Sequence, residues 1–429
     1  MIRFLTYLLI FVSIVAQGQE TPANKQTKSI LLLNGTAHLG NGKVIKRSAI
    51  GFKNGKITLV ENALTKTIDT TVFDTIIYIK NKHVYPGFIA CNSTLGLMDL
   101  EAVRASIDYR EVGLYNPNIR TIIAYNTDSK ITPTIRTNGI LMGQICPRGG
   151  VISGTSSVVQ FDAWNWEDAV IKKDEGVHLN WPHYTAIKKN KKEKLTNNYS
   201  NALNSIDDYI KECIAYSKDN NDGEIDIRLE AMKEIFNGKK QLYVHANYIK
   251  EISDIINIKK KYNIQRLCII GGYDSWMVAK RLKENNISVM LTRVHGLPKR
   301  EHDDIYLPFK LPSLLAEAGV LFCIQNSGDM EQMITRNLPF MVGTAIAYGL
   351  AYEKGVASIT LNAAKILGLD HRLGSLEKGK DATLFISSGD AFDIISNNVE
   401  IAFINGRKIS LSNDQIKNYL KYKEKYGLE

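Results

Sequence analysis

The stretch Val84-Tyr85-Pro86-Gly87-Phe88-Ile89-Ala90-Cys91-Asn92-Ser93-Thr94 decides the fold. A hydrophobic run stops at Pro86-Gly87, a pair that punctuates secondary structure. A second apolar run, Phe88 to Cys91, then opens onto three small polar residues. Before this stretch the chain holds short strands. Residues 29–35 end in an Asn-Gly turn, residues 49–60 form a hairpin closed at Asn54-Gly55, and residues 76–80 are rich in β-branched and aromatic side chains. After it, apolar runs alternate with amphipathic helices, the mark of parallel βα units. Strands are expected at 241–246, 265–272, 287–291 and 320–325, with a helix at 275–285. A β/α barrel carries its active residues at the C-terminal ends of such strands. His245, Gly271, the pair Arg293 and His295, and Asp329 fall there.

Two C-terminal segments extend the pattern. Gly355 to Leu369 reads as a helix carrying Asn362-Ala363-Ala364, and it is followed by Gly374-Ser375-Leu376-Glu377-Lys378-Gly379-Lys380-Asp381-Ala382-Thr383. The strand Val399 to Ile404 then turns at Asn405-Gly406-Arg407. With the Pro86-Gly87 strand, these motifs resemble the amidohydrolase superfamily, and within it the imidazolonepropionase-like proteins, over about residues 30 to 410. The family's first barrel strand reads Pro-Gly-apolar-apolar-Asp-x-His-x-His, and its two histidines bind the catalytic metal. Here Ala90 stands at the aspartate, and Asn92 and Thr94 stand at the histidines. Thr383 replaces the last aspartate of the family's Gly-Ser-x-x-x-Gly-Lys-x-Ala-Asp pattern.

The resemblance implies an α/β chain: a distorted TIM (β/α)8 barrel with a composite β-sandwich domain built from both chain ends. Residues 19–82 would form the N-terminal part of the sandwich, 83–372 the barrel, 373–410 the C-terminal part of the sandwich, and 411–429 a C-terminal helix. It also implies hydrolysis of a non-peptide or small-peptide C–N bond, with histidines after strands five and six and an aspartate after strand eight completing the metal site. His245 matches the strand-five position and Asp329 the strand-eight position, while Gly271 or Gly272 stands where the strand-six histidine belongs. A zinc site needs three protein ligands and an open position. His245 and Asp329 alone imply at most one weakly bound divalent metal such as zinc, unless His295 is recruited as a third ligand. Asp329 would assist water attack, with His245 as ligand or electrophile. The other expectation is a catalytically degenerate amidohydrolase that binds a ligand or supports a catalytic paralogue. His245 also reads as a hydrogen-bonded histidine at a barrel mouth, and Asp329 as a turn residue.

Other features are less specific. Pro147 to Ser157 is a glycine-rich run whose amides and hydroxyls suit a carboxylate or phosphate, with Arg148 adding charge; a plain barrel connection explains it equally. Arg148, Arg293 and His295 are the expected substrate-binding residues. The net charge of +10, from 54 Lys and Arg against 44 Asp and Glu, is concentrated partly in Lys188 to Lys194 and reads as a solvated segment rather than a nucleic-acid site. Five scattered cysteines without a Cys-x-x-Cys pair exclude a zinc ribbon and point to buried thiols. Met1-Ile2-Arg3, the apolar run Phe4 to Ala16 and the small residues before Gln19 read as a signal peptide over 1–18. A periplasmic or secreted protein follows, with a small-molecule substrate, no nucleic acid, no membrane span after processing, and either a homo-oligomer or a paralogous amidohydrolase subunit as protein partner.

Overall fold

The computed structural model describes residues 21–100, 103–184, 192–218, 225–328 and 330–428. The expected leader at 1–18 and Asp329 lie outside the described residues. In chain order the strands are β1 (Ile30–His38), β2 (Val44–Lys53), β3 (Lys56–Asn62), β4 (Thr75–Tyr78) and β5 (His83–Pro86). Then come β6 (Phe88–Ser93), β7 (Ile140–Ile145), β8 (Ile152–Gln160), β9 (Val170–Asn180), β10 (Gln241–Ala246), β11 (Leu267–Gly271), β12 (Ser288–Leu291) and β13 (Phe322–Ile324). The chain closes with β14 (Leu384–Ser387), β15 (Val399–Ile404) and β16 (Arg407–Lys408).

The outer strands form one sheet in the order β16-β15-β14-β5-β1-β2-β3, with β4 also on β1. The chain ends meet where β5 pairs antiparallel with β14, Tyr85 facing Phe385. The β2–β3 hairpin turns through Asn54 and Gly55 at φ +51° and +76°, the paired left-handed conformation that two-residue hairpin turns require. The sheet folds over on itself. Phe52 on β2 and Phe403 on β15 have three strands between them in the order, yet their rings meet edge to face at 5.0 Å. Between the layers, Leu32, Ile50, Ile57, Val84 and Leu384 bury their side chains.

The remaining eight strands make the nearly closed barrel sheet, ordered β6 to β13. Neighbours are parallel except β8, which runs antiparallel to both β7 and β9. The all-parallel expectation fails here for a reason of length. Only residues 146–151 link β7 to β8 and only 161–169 link β8 to β9. A parallel crossover needs a dozen residues or more, so the chain must turn straight back. Residues 152–157, expected in a glycine-rich loop, are therefore strand.

Period-two alternation fills the barrel with Ile89, Cys91, Met142, Val158, Tyr243, Cys268, Met290 and Cys323. All five cysteines are buried free thiols. The same alternation carries Gln144, His245 and Gln325, each two residues beyond an interior position, to the mouth. Among the described residues no helix is long and apolar enough to cross a membrane.

Candidate functional site

A pocket of about 300 Å³ opens over the ends of β9 to β13, with Asn180, His245, Asn247, Thr292, Gln325 and Ser327 in its wall. His245 shares a hydrogen bond with a residue that sequence reasoning missed: His178 Nδ1 lies 3.0 Å from His245 Nε2. His178 comes from β9, is fully buried, and stacks on Tyr243 with ring centroids 4.8 Å apart. Burial pushes both imidazoles below their ordinary pKa. For His178 the neighbouring His245 and then Arg148 add to the drop; for His245, pushed down to about 3, Arg148 adds to it. The pair is neutral and shares one N–H, and His178 Nε2 is buried without a partner.

Beneath the pair, Glu175 accepts hydrogen bonds from Gln144 Nε2 and Ser156 Oγ, both at 2.6 Å, and from the Tyr243 hydroxyl at 2.8 Å. Burial raises its pKa despite these donors. Gln144 Oε1 in turn accepts the Asn92 N–H at 3.0 Å. The first strand end is thus tied by its backbone to Gln144 and through it to Glu175, and Asn92 takes a left-handed φ of +50°.

The corner at β6 is built differently. Arg148 Nη2 donates to the Asn92 carbonyl at 2.9 Å and to the Glu331 carboxylate at 3.1 and 3.3 Å. The Thr94 N–H donates to Glu331 Oε1 at 2.9 Å, and the Thr94 hydroxyl donates to the same oxygen. Gly328 N–H reaches Glu331 Oε2 at 3.2 Å, and Gln332 Nε2 donates to Thr94 Oγ1 at 2.7 Å. A carboxylate from the segment after β13 and a guanidinium from the β7–β8 turn so close the space beside Thr94.

The other expected residues separate. Arg293 Nη2 leans on the Ser327 carbonyl at 3.5 Å. His295 does not line the pocket; its Nε2 meets Thr344 Oγ1 at 2.7 Å, and burial followed by the Arg293 charge lowers its pKa. The glycine-rich turn presents carbonyls rather than a nest of amides, because Asn180 Nδ2 donates to Gly149 O and Gly150 O at 3.2 and 3.0 Å. Gly271, at the strand-six position, has φ +104°, and a Cβ there would stand 2.7 Å from Asn247 Oδ1. Asn247 already fills the place of a strand-six side chain.

These donors do not fit the zinc ion that the resemblance implies. Thr94 Oγ1 is engaged with Glu331 and Gln332, His245 Nε2 with His178, and Gly271 has no side chain to offer. Among the described residues no three His, Cys, Asp or Glu side chains are disposed to hold a metal ion, whereas zinc is bound through such groups. Glu175, His178 and Gln144 interrupt otherwise strand-like runs, and Glu331 sits two residues past Asp329; their polarity inside buried segments is the signal in the sequence.

Residues 229–409 match the Amidohydrolase family. An imidazolonepropionase of Flavobacterium psychrophilum is 24% identical over 185 residues, 38% of this chain and 45% of that protein. One of Syntrophobacter fumaroxidans is 27% identical over 89 residues, 20% of this chain and 21% of that protein. The similarity therefore spans less than half the length of these relatives. In three dimensions the chain is similar to an amidohydrolase from Thermotoga maritima, with a TM-score of 0.76 and 22% identity over 88% of this chain and 99% of that one. It is also similar to a Xaa-Pro dipeptidase with methionine bound in its active site, with a TM-score of 0.55 and 14% identity over 89% of this chain and 99% of that one. The C-terminal part of the chain, residues 229–409, is thus similar in sequence to the Amidohydrolase family, and the whole chain shares its barrel-plus-β-domain fold with solved amidohydrolases.

Proposed function

We propose that the chain binds a small molecule containing a C–N bond, a linear or cyclic amide, in the mouth pocket, and that its metal site is altered to the point of not supporting metal-assisted hydrolysis. One observation carries this reading: at the strand-end positions one, five and six, Thr94 and His245 are engaged with protein partners, Gly271 has no side chain, and Asn92 offers only an amide oxygen. What faces the pocket is mostly neutral and polar, apart from the Glu251 carboxylate, which His183 meets at 3.1 Å. Asn247 Oδ1 is buried without a partner, and Gln325 and Thr292 add amide and hydroxyl groups. A site of this kind suits a ligand that both donates and accepts hydrogen bonds. In this reading the protein is a binder, or a non-catalytic subunit beside a catalytic relative.

His245 in the pocket wall favours a second reading, a hydrolase of C–N bonds in which His245 polarises the carbonyl and Asp329 assists the attacking water. Small amides and N-acyl amino acids, screened for thermal stabilisation and for amine release, separate the two. A ligand that stabilises the wild type but not His245→Ala or Gln325→Leu is expected, without turnover. A ligand that stabilises all three equally is bound elsewhere. Turnover lost on Asp329→Asn moves the chain to the hydrolase reading. Export, proposed from the leader, is checked by N-terminal sequencing, with Gln19 as the expected first residue.

A further inference from the structure

We propose that Arg148 is the resident cation of the barrel mouth: its guanidinium, held on Glu331 and on the Asn92 carbonyl, takes the electrostatic part that a strand-end metal ion plays, so that the site is complete without one. This rests on the reading of an altered metal site but not on any ligand for the pocket.

The observations are geometric. A metal at a barrel mouth joins ligands from separate strands around one positive charge. Arg148 joins the same kind of segments through one nitrogen. Its Nη2 reaches the end of β6 through Asn92 O at 2.9 Å and the segment after β13 through both Glu331 oxygens at 3.1 and 3.3 Å. Glu331 then gathers Thr94, by its N–H at 2.9 Å and by its hydroxyl, and Gly328 N–H at 3.2 Å. The pair is largely buried, with side chains 23% and 10% exposed. Asn92 Oδ1 beside it is buried and has no partner. Among the described residues the carboxylate is the only charged acceptor these groups share, and removing its cation would leave it uncompensated in a poorly solvated corner. Thr94 also explains itself here. A hydroxyl at this position hydrogen-bonds the carboxylate that the guanidinium neutralises, where the family pattern has an imidazole for the metal.

If Arg148 acts as a cation rather than as packing, another cation should replace it. The test uses the full chain, the wild type and Arg148→Ala, with the thermal midpoint as readout. The wild-type midpoint is expected to be the same after EDTA dialysis and after added zinc or magnesium. Arg148→Ala is expected to lower it by roughly 5 °C, and millimolar guanidinium, zinc or magnesium should recover most of that loss. The recovery should vanish in Arg148→Ala/Glu331→Gln, which has no charge to compensate. Arg148→Lys, which keeps the charge, should fall between wild type and Arg148→Ala, and it serves as the main comparison if the alanine variant is insoluble, with magnesium then expected to add nothing to it. A full equivalent of zinc retained by the wild type overturns the proposal. So does an Arg148→Ala midpoint equal to that of the wild type or unresponsive to every added cation, or an Arg148→Lys protein no more stable than Arg148→Ala. A failed amide screen would remove the ligand reading and leave these results standing; zinc retention would do the reverse.

Discussion

Across the barrel mouth, the arc from β9 to β13 and the corner at β6 use polar residues in opposite ways. The arc surrounds an open pocket with mostly neutral groups beside the Glu251 carboxylate, a shared imidazole proton, and the Asn247 amide oxygen without a partner. The corner has carboxylate, guanidinium, hydroxyl and backbone N–H satisfied against one another. Unpaired polar atoms next to a cavity keep their hydrogen-bonding capacity for something else; the charged groups of the corner have theirs engaged, with Asn92 Oδ1 left over beside them. On the function proposed above, ligand recognition falls to the arc and structural cohesion to the corner.

The strongest way to break this contrast is to remove one half of the corner. Glu331→Leu, which strands Arg148, should cost about 3 kcal/mol in urea unfolding, whereas Arg148→Met/Glu331→Leu should cost much less than the two single changes summed. Additive losses would mean that the two side chains do not act as a unit. Next in size is the arc's glycine. Gly271→Ala forces a side chain into a left-handed backbone and against Asn247 Oδ1, and should cost roughly 2 kcal/mol and perturb the pocket. Gly271→His should then fail to create a zinc site, which zinc titration of the purified variant would check.

Acid sharpens the contrast further. His178 and His245 have folded pKa values depressed below the ordinary value of about 6.5. The unfolded chain therefore takes up protons below that pH that the folded chain refuses. Their contribution is complete above about pH 6.5 and is lost as the pH falls, by about 1.4 kcal/mol per pH unit for each histidine. His178→Asn should flatten the acid limb of a stability–pH profile by about half; an unchanged slope would mean that the pair does not control it. The smallest effect is expected at His295. Turned toward Thr344 and away from the pocket, it should tolerate alanine with a loss under about 0.5 kcal/mol and with amide binding, measured by thermal shift, unaltered.

The sequence made some of this legible and hid the rest for physical reasons. The strands at 241–246, 287–291 and 76–80 stand out because apolar runs end at turn residues, and the Asn54-Gly55 hairpin because few residues take its backbone. β8 and β9 were hidden. Gly154, Thr155 and Ser156 look like a loop until the short links around β8 are seen to leave no room for one. Lys172, Lys173 and Asp174 break the apolar character of β9, although His178 on that strand meets His245 and Glu175 supports the polar cluster beneath the pair. His245 was found because it ends a clear strand. Arg148 was noticed for its charge but not for its partner, since Glu331 lies 183 residues away and nothing local joins them. His295 was misleading for the opposite reason: nearness in sequence to a strand end does not fix which way a ring turns.

The joining of β5 to β14 also sets a schedule. About 300 residues of barrel separate Pro86 from Leu384, and Phe52 finds Phe403 only across that fold. At roughly 5–20 residues per second of synthesis, the first five strands emerge some 15–60 seconds before the strands that cover them exist. Through that interval Leu32, Ile50 and Phe52 present an unfinished apolar face and β5 an unpaired edge. The nascent chain is most vulnerable to aggregation at its beginning, and its last strands seal what its first ones expose.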